Sequence, residues 1–325
     1  MNQQPLLSIT DLQVDFSTDA GAVRAVDGVN LTLHAGETLA LVGESGSGKS
    51  VTALSILQLL GDAGRISGGH IRFADEELTA MAPAEMRRIR GNRISMIFQE
   101  PMTSLNPVIK VGRQVAEPLV LHRGMSWVQA QAEAADLLAK VAIPDPEARL
   151  DNFPHQLSGG MRQRVMIAMA LACNPQLIIA DEPTTALDVT VQAQILALLK
   201  ALTRETGAAL LLITHDLGVV ARYADRVAVM YAGRVVETAA ASPLYRDPQH
   251  PYTRGLMQSI PSLDGEAGVH LTTIDGQPPD LAQRPTGCDF APRCPYHRSA
   301  CDQAKPALRP TAQNANHTWA CIGDE

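Results

Sequence analysis

A chain of 325 residues, 46% apolar, is long enough for one large core with an appendage. Its net charge of −7 and its 4% aromatic content exclude the basic, aromatic-rich surface that nucleic-acid binders use. The longest apolar run, Val165–Cys173, is far short of the roughly 20 residues that span a bilayer. Met1–Asp11 lacks a basic stretch followed by an apolar one, so no signal peptide is expected. These features predict a cytosolic chain that reaches a membrane only through partners.

Alternating strand and helix signals over about the first 235 residues predict an α/β domain. The apolar strand Thr38–Val42 runs into Gly43-Glu44-Ser45-Gly46-Ser47-Gly48-Lys49-Ser50, and a helical pattern follows over Ser50–Leu60. This fits G-x-x-x-x-G-K-[ST] in its proper strand–loop–helix context. The glycines let successive backbone N–H groups converge on one point, and the following helix presents its positive end there. The pattern predicts an ATP-type phosphate cradle, with Lys49 on the β- and γ-phosphates and the Ser50 hydroxyl on Mg²⁺. Lys49 is the only lysine before Lys110, so no neighbour substitutes for it.

Gln99 follows Ile97-Phe98 and precedes Pro101, where it can contact Mg²⁺ and water. Residues from about 102 to 172 read as a helical insert. Within it, Val128, Ala132, Ala135, Leu138 and Val141 are spaced as one helix face over Ser126–Val141, and Ser126 with Gln129 forms a capping box. Leu177–Ala180 is an apolar strand ending in Asp181 and Glu182. Asp181 suits Mg²⁺ through water, and Glu182 suits the general base that polarises an attacking water. His215 follows the apolar run Ala209–Ile213, where a histidine can sense a γ-phosphate; taken alone it reads more readily as a satisfied core or surface histidine. Arg226–Tyr231 and Arg234–Glu237 flank Ala232-Gly233 and predict a hairpin.

Leu157-Ser158-Gly159-Gly160-Met161-Arg162-Gln163-Arg164 precedes an apolar helix and offers a second anion site at its N-terminus. It resembles the LSGGQ signature of ABC ATPases, with Met161 in place of the commoner Gln. The resemblance implies a P-loop ABC ATPase fold: a RecA-like core, an antiparallel β subdomain and a helical subdomain. It also implies that Ser158, Gly159 and Gly160 clamp ATP held by the opposite subunit of a dimer. Gln99 resembles the Q-loop, Asp181 and Glu182 the Walker B pair, Ala186-Leu187-Asp188 the D-loop, and His215 the switch histidine. Val51 joins the nucleotide-binding loop by the same resemblance. Phe16 is the candidate for the aromatic that stacks on adenine, the alternative being a core strand residue.

A narrower likeness lies in Gln99-Glu100-Pro101-Met102-Thr103-Ser104-Leu105-Asn106-Pro107 and His250-Pro251-Tyr252-Thr253-Arg254-Gly255-Leu256. These resemble the oligopeptide/dipeptide (peptide/nickel) importer branch, in particular its D-type ATPase subunit. That implies a similar F-type ATPase subunit as heterodimer partner, two transmembrane permease subunits, and an extracytoplasmic solute-binding protein. The location implied is peripheral, on the cytoplasmic face of the inner membrane. Cargo stays open among di- and oligopeptides, glutathione and nickel. The competing reading is a soluble ABC ATPase acting on nucleic acid or ribosomes, but no second such domain, long coiled coil or basic arm is present.

The division expected is 1–245 for the nucleotide-binding domain and 246–325 for a small tail. Cys288, Cys294, Cys301 and Cys321 crowd into that tail, whereas Cys173 lies in an apolar helix and reads as packed core. In a reducing compartment such clustering points to metal rather than disulfides. Four thiolates suit zinc or an iron–sulfur cluster, or stay unligated, and the tight C-x2–4-C pairs common in zinc sites are missing. The importer branch with this tail carries a [4Fe-4S] cluster, so the resemblance favours that group. The tail has little apolar bulk, which makes such a centre the expected source of its order.

Overall fold

In a computed structural model of the chain, residues 4–19, 21–185, 187–259 and 273–323 are described. Ala186, of the D-loop resemblance, lies outside them. The chain divides into two compact units, one of residues 1–4, 33–38 and 80–213, the other of residues 5–32, 39–79 and 214–325.

The first unit carries parallel strands. Ile94–Ile97 pairs with Leu177–Asp181, which pairs with Ala209–Thr214. Every residue of the last two strands is buried, as expected of near-continuous apolar runs in a parallel sheet. The helical insert holds Val111–Arg123, Trp127–Lys140 and Gly159–Leu171. The predicted capping box is present: Gln129 N donates to Ser126 Oγ at 3.4 Å, and Ser126 N donates to Gln129 Oε1 at 3.1 Å.

The buried face of that helix matches the expected one only in part, at Leu138 and Val141. Ala130, Ala134, Leu137 and Leu138 are inside, whereas Val128 is 82% exposed and Ala132 is exposed. Alanines at 130, 132, 134, 135 and 139 satisfy helical spacing in more than one register. Only packing of the helix against its neighbours chooses between them. Cys173 is packed core as expected, its thiol donating to the Pro118 carbonyl at 3.5 Å.

The second unit contains an antiparallel sheet in which Leu7–Thr18 pairs with Gly64–Phe73, and Gly21–Leu33 lies on the other side of Leu7–Thr18. It also contains Leu39–Val42, parallel to Arg226–Val229. The predicted hairpin forms between Arg226–Tyr231 and Arg234–Ala240, turning at Ala232 and Gly233, both with positive φ as a two-residue turn demands. Short tail strands extend this edge: Thr318–Trp319 pairs antiparallel with Glu237 and Thr238, and Arg309–Pro310 pairs with Thr318–Trp319.

The tail contributes more packing than its composition predicts. Tyr252 and Phe290 are buried with Tyr231, Val229, Val236 and Leu244 in one core. Buried Glu237 accepts from Gln249 N at 2.8 Å, His250 N at 2.9 Å and His317 Nε2 at 2.6 Å. Among the described residues, no helix is long and apolar enough to cross a membrane.

Candidate functional site

The phosphate loop follows a fully buried strand and opens the helix Lys49–Ile56. A Cβ on Gly43 would fall 2.1 Å from the Met230 carbonyl oxygen, so only glycine fits. Gly48 has φ 100° and a Cβ position 2.8 Å from the Ala25 carbonyl oxygen, which likewise requires glycine. As N-cap, Gly48 offers no side chain to the helix, so the first N–H groups are left for an anion. Lys49 is buried, and its ammonium donates to the carbonyls of Gly43 at 2.8 Å and Glu44 at 2.9 Å. The Glu44 carboxylate faces the tail rather than the loop, a contact with Arg293 that residue types alone do not announce. Ser45 and Gly46 are exposed at the loop tip, Ser47 is buried, and Ser50 and Val51 are half-buried on the first turn of the helix.

Gln99 and Glu182 come together in the first unit, and Asp181 precedes Glu182 in the chain. Asp181 is buried at its strand end. Glu182 leaves the strand with φ 44°, a left-handed backbone that is unusual for this residue type. Its N–H donates to the Ile213 carbonyl at 2.9 Å, which fixes the kink. Its carboxylate oxygen Oε2 accepts from Gln99 Nε2 and from Thr185 Oγ1, both at 3.0 Å. Two neutral donors on one oxygen hold the carboxylate in place. Thr185 carries no sequence signal by itself; its place three residues after Glu182 in a turn brings it there.

Ser158 caps the helix Gly159–Leu171, its Oγ accepting from Met161 N at 3.3 Å. Ser158 and Gly159 are exposed and Gly160 is half-buried. A Cβ on Gly160 would stand 3.1 Å from Val191 Cγ1, so glycine also lets this turn lie against the helix Val189–Thr206. Asp188 caps that helix, accepting from Val191 N at 2.9 Å. His215 is exposed in the second unit, just before Asp216, which caps Leu217–Tyr223. Phe16 is half-buried beside its strand partner Gly64, where a Cβ would come 2.8 Å from the ring.

Cys288, Cys294, Cys301 and Cys321 line one cavity of about 280 Å³ together with His250 and Trp319. Burial pushes the Cys288 thiol up to about 11 and raises that of Cys294. Among the described residues, no three His, Cys, Asp or Glu side chains form a group that could hold a metal ion.

The description "ABC transporter" matches residues 26–185, and "Oligopeptide/dipeptide transporter, C-terminal region" matches residues 236–301. The chain is 52% identical over 319 residues to the Dipeptide transport ATP-binding protein DppD of Bacillus subtilis, covering 98% of this chain and 94% of that one. A solved dimeric, post-hydrolysis state of the ATP-binding cassette MJ0796, bound to ADP and Pi, matches with a TM-score of 0.64 and 30% identity. It covers 72% of this chain and 98% of its own. The structure of cbiO1 from Clostridium perfringens, part of an ABC transporter complex, matches with a TM-score of 0.63 and 26% identity over 75% of this chain and 92% of that one. With a phosphate loop, a carboxylate-ended strand and an Ser-Gly-Gly helix start in one α/β fold, and with likeness along nearly its whole length, the chain belongs to the ABC transporter ATPases, in their oligopeptide/dipeptide branch.

Proposed function

We propose that this ATPase is the motor subunit of an importer for dipeptides or oligopeptides, acting on separate membrane permease subunits fed by an extracytoplasmic binding protein. The observation that carries this reading is the 52% identity, tail included, with a dipeptide transport ATP-binding protein. A peripheral position on the cytoplasmic face of the membrane follows from this role. The second ATPase of the complex is an F-type subunit, and the chain divides functionally into 1–245 and 246–325.

The roles follow residue by residue. Lys49 leaves the Gly43 and Glu44 carbonyls for the β- and γ-phosphates, and the N–H groups of Gly46–Val51 cradle them. Ser47 closes the loop under that cradle, Ser45 lies at its tip, and Phe16 stacks on the base. Ser50, Gln99 and Asp181 offer the hard oxygen donors that suit Mg²⁺, which when bound neutralises phosphate charge. Glu182 takes the proton of the attacking water while Gln99 and Thr185 orient its carboxylate. His215 senses the γ-phosphate. Ser158, Gly159 and Gly160, with Asp188 behind them, serve the nucleotide of the opposite subunit; their exposure at a helix start supports an intermolecular role.

The tail cysteines are proposed to hold a [4Fe-4S] cluster. Four sulfurs around one cavity suit the four thiolates that such a cluster takes, and the tight C-x2–4-C pairs common in zinc sites are missing. When bound, the cluster supplies iron–thiolate bonds that tie four chain segments together; hydrolysis of ATP itself moves no electron.

The test is cargo-stimulated hydrolysis by the complex assembled with its permeases and binding protein. Stimulation by peptides, and not by nickel or glutathione, is expected. Stimulation by nickel or glutathione alone would reassign the cargo, and hydrolysis at full rate by the isolated chain at every concentration would contradict the two-subunit site.

A further inference from the structure

The phosphate loop is gripped by the C-terminal segment. Arg293, only 5% exposed, directs its guanidinium fork onto the Glu44 carboxylate, with Nη1 to Oε2 at 2.7 Å and Nη2 to Oε1 at 3.0 Å. Its other donors are also used: Nε donates to the Asp275 carbonyl at 3.0 Å, Nη2 to that of Ile274 at 3.3 Å, and Nη1 to the Tyr231 hydroxyl at 3.4 Å. A guanidinium with all its N–H directions occupied is fixed, and fork-to-fork pairing with a carboxylate is the geometry arginine serves best. Glu44 is held at its backbone as well. Its N–H donates to the hydroxyl of buried Tyr252 at 2.9 Å, and its carbonyl accepts from Lys49. Three separate attachments thus converge on the residue that follows Gly43 in the loop.

We propose that Arg293 is a positioning residue for ATP: by clamping Glu44 from 249 residues away, it holds the phosphate loop in shape and keeps a carboxylate turned away from the phosphates. This rests on the nucleotide-site reading above. Two physical consequences give the clamp its effect. When Lys49 moves to the phosphates, Glu44 loses its carbonyl attachment, and Arg293 and Tyr252 are the contacts that keep the loop in place. In addition, a glutamate beside a triphosphate repels it unless a cation neutralises it and fixes its direction. The fold of the C-terminal segment therefore sets nucleotide affinity without touching nucleotide.

The test is a cycle of Arg293→Met, Arg293→Lys and Glu44→Gln in the full chain. ATP affinity is read with a fluorescent ATP analogue, and KM and kcat are read in the assembled complex. Wild-type and Lys49→Ala chains are titrated first, so that failure of the nucleotide reading shows separately. Arg293→Met is expected to weaken binding and raise KM about tenfold, with kcat within about twofold. Arg293→Lys keeps the stem and charge but not the fork, and falls between. In the Glu44→Gln background the Arg293→Met effect is expected to shrink to about twofold, because the carboxylate that it positions is gone. A folded Arg293→Lys or Arg293→Met chain that binds ATP like wild type would overturn the proposal. So would an Arg293→Met loss of equal size in both backgrounds, or a fall in kcat without a change in KM.

Discussion

Gln99 and Glu182, 83 residues apart in sequence, meet side chain to side chain at 3.0 Å. The Gln99 amide donates to the oxygen that also accepts from Thr185, so the carboxylate is oriented from two sides. Held this way, the carboxylate is oriented to serve as the general base proposed above.

Glu182→Gln keeps the size of the side chain but cannot take a proton. Hydrolysis is expected to fall by about 10²–10⁴ while ATP still binds. Single-turnover hydrolysis and analogue binding on the same preparation check this; near-normal turnover would reject the general base. Thr185→Val, which removes one of the two donors, is expected to cost about tenfold at most.

Lys49→Ala acts earlier. The buried ammonium is folded onto the Gly43 and Glu44 carbonyls. Its loss is expected to weaken ATP binding by about tenfold or more. Equilibrium titration measures this directly, and unchanged affinity would count against the loop as the phosphate site.

Within the second unit, a network of charges ties the C-terminal segment to Asp27. Asp27 accepts from Arg234 at 3.2 Å and Lys305 at 3.3 Å and pairs with Arg284 at 3.5 Å. Burial alone raises the Asp27 carboxyl, but Lys305, Arg234 and Arg284 together outweigh it and hold it below the ordinary range. A lowered folded-state value contributes stability that is fully present above the unfolded value of about 3.9 and is lost as pH falls through the lower, folded one. Asp27→Asn is therefore expected to lower the thermal midpoint at pH 7 by several degrees, since among the described residues it leaves Asp289 as the one carboxylate paired with both Arg284 and Lys305. Thermal melts of both chains at pH 7 and pH 3 should show the gap between them narrowing in acid. A gap that stays constant or widens would remove the carboxylate from the account.

The tail cysteines give a spectroscopic prediction. Anaerobic purification is expected to yield about four irons and four sulfides per chain, with broad visible absorption that is lost when Cys288 or Cys301 becomes Ser. One zinc per chain without iron would reject the cluster.

The strand–loop–helix context of the glycine-rich loop was legible because its signals are local. Gly43, Gly48 and Lys49 sit within one strand–loop–helix segment, and Ser126 with Gln129 lies within one turn. The pairing of Gln99 with Glu182 was not, since sheet register brings it about across the insert. The buried face of Trp127–Lys140 was legible only in part, at Leu138, because its alanines fit several registers. Arg293 and Tyr252 lie in a tail with little periodicity, so nothing in their spacing pointed to Glu44. Glu237 reads as an ordinary polar strand residue and is instead fully buried with three donors.

The central claim is that ATP hydrolysis on this chain drives peptide entry, and uptake of a radiolabelled dipeptide into vesicles holding the assembled importer tests it most directly. With the binding protein supplied on the opposite side, uptake is expected to require ATP on the side of this subunit and to fall at least about a hundredfold with Glu182→Gln. Dipeptide accumulation that continues without ATP, or that is undiminished in the Glu182→Gln complex, would contradict the account.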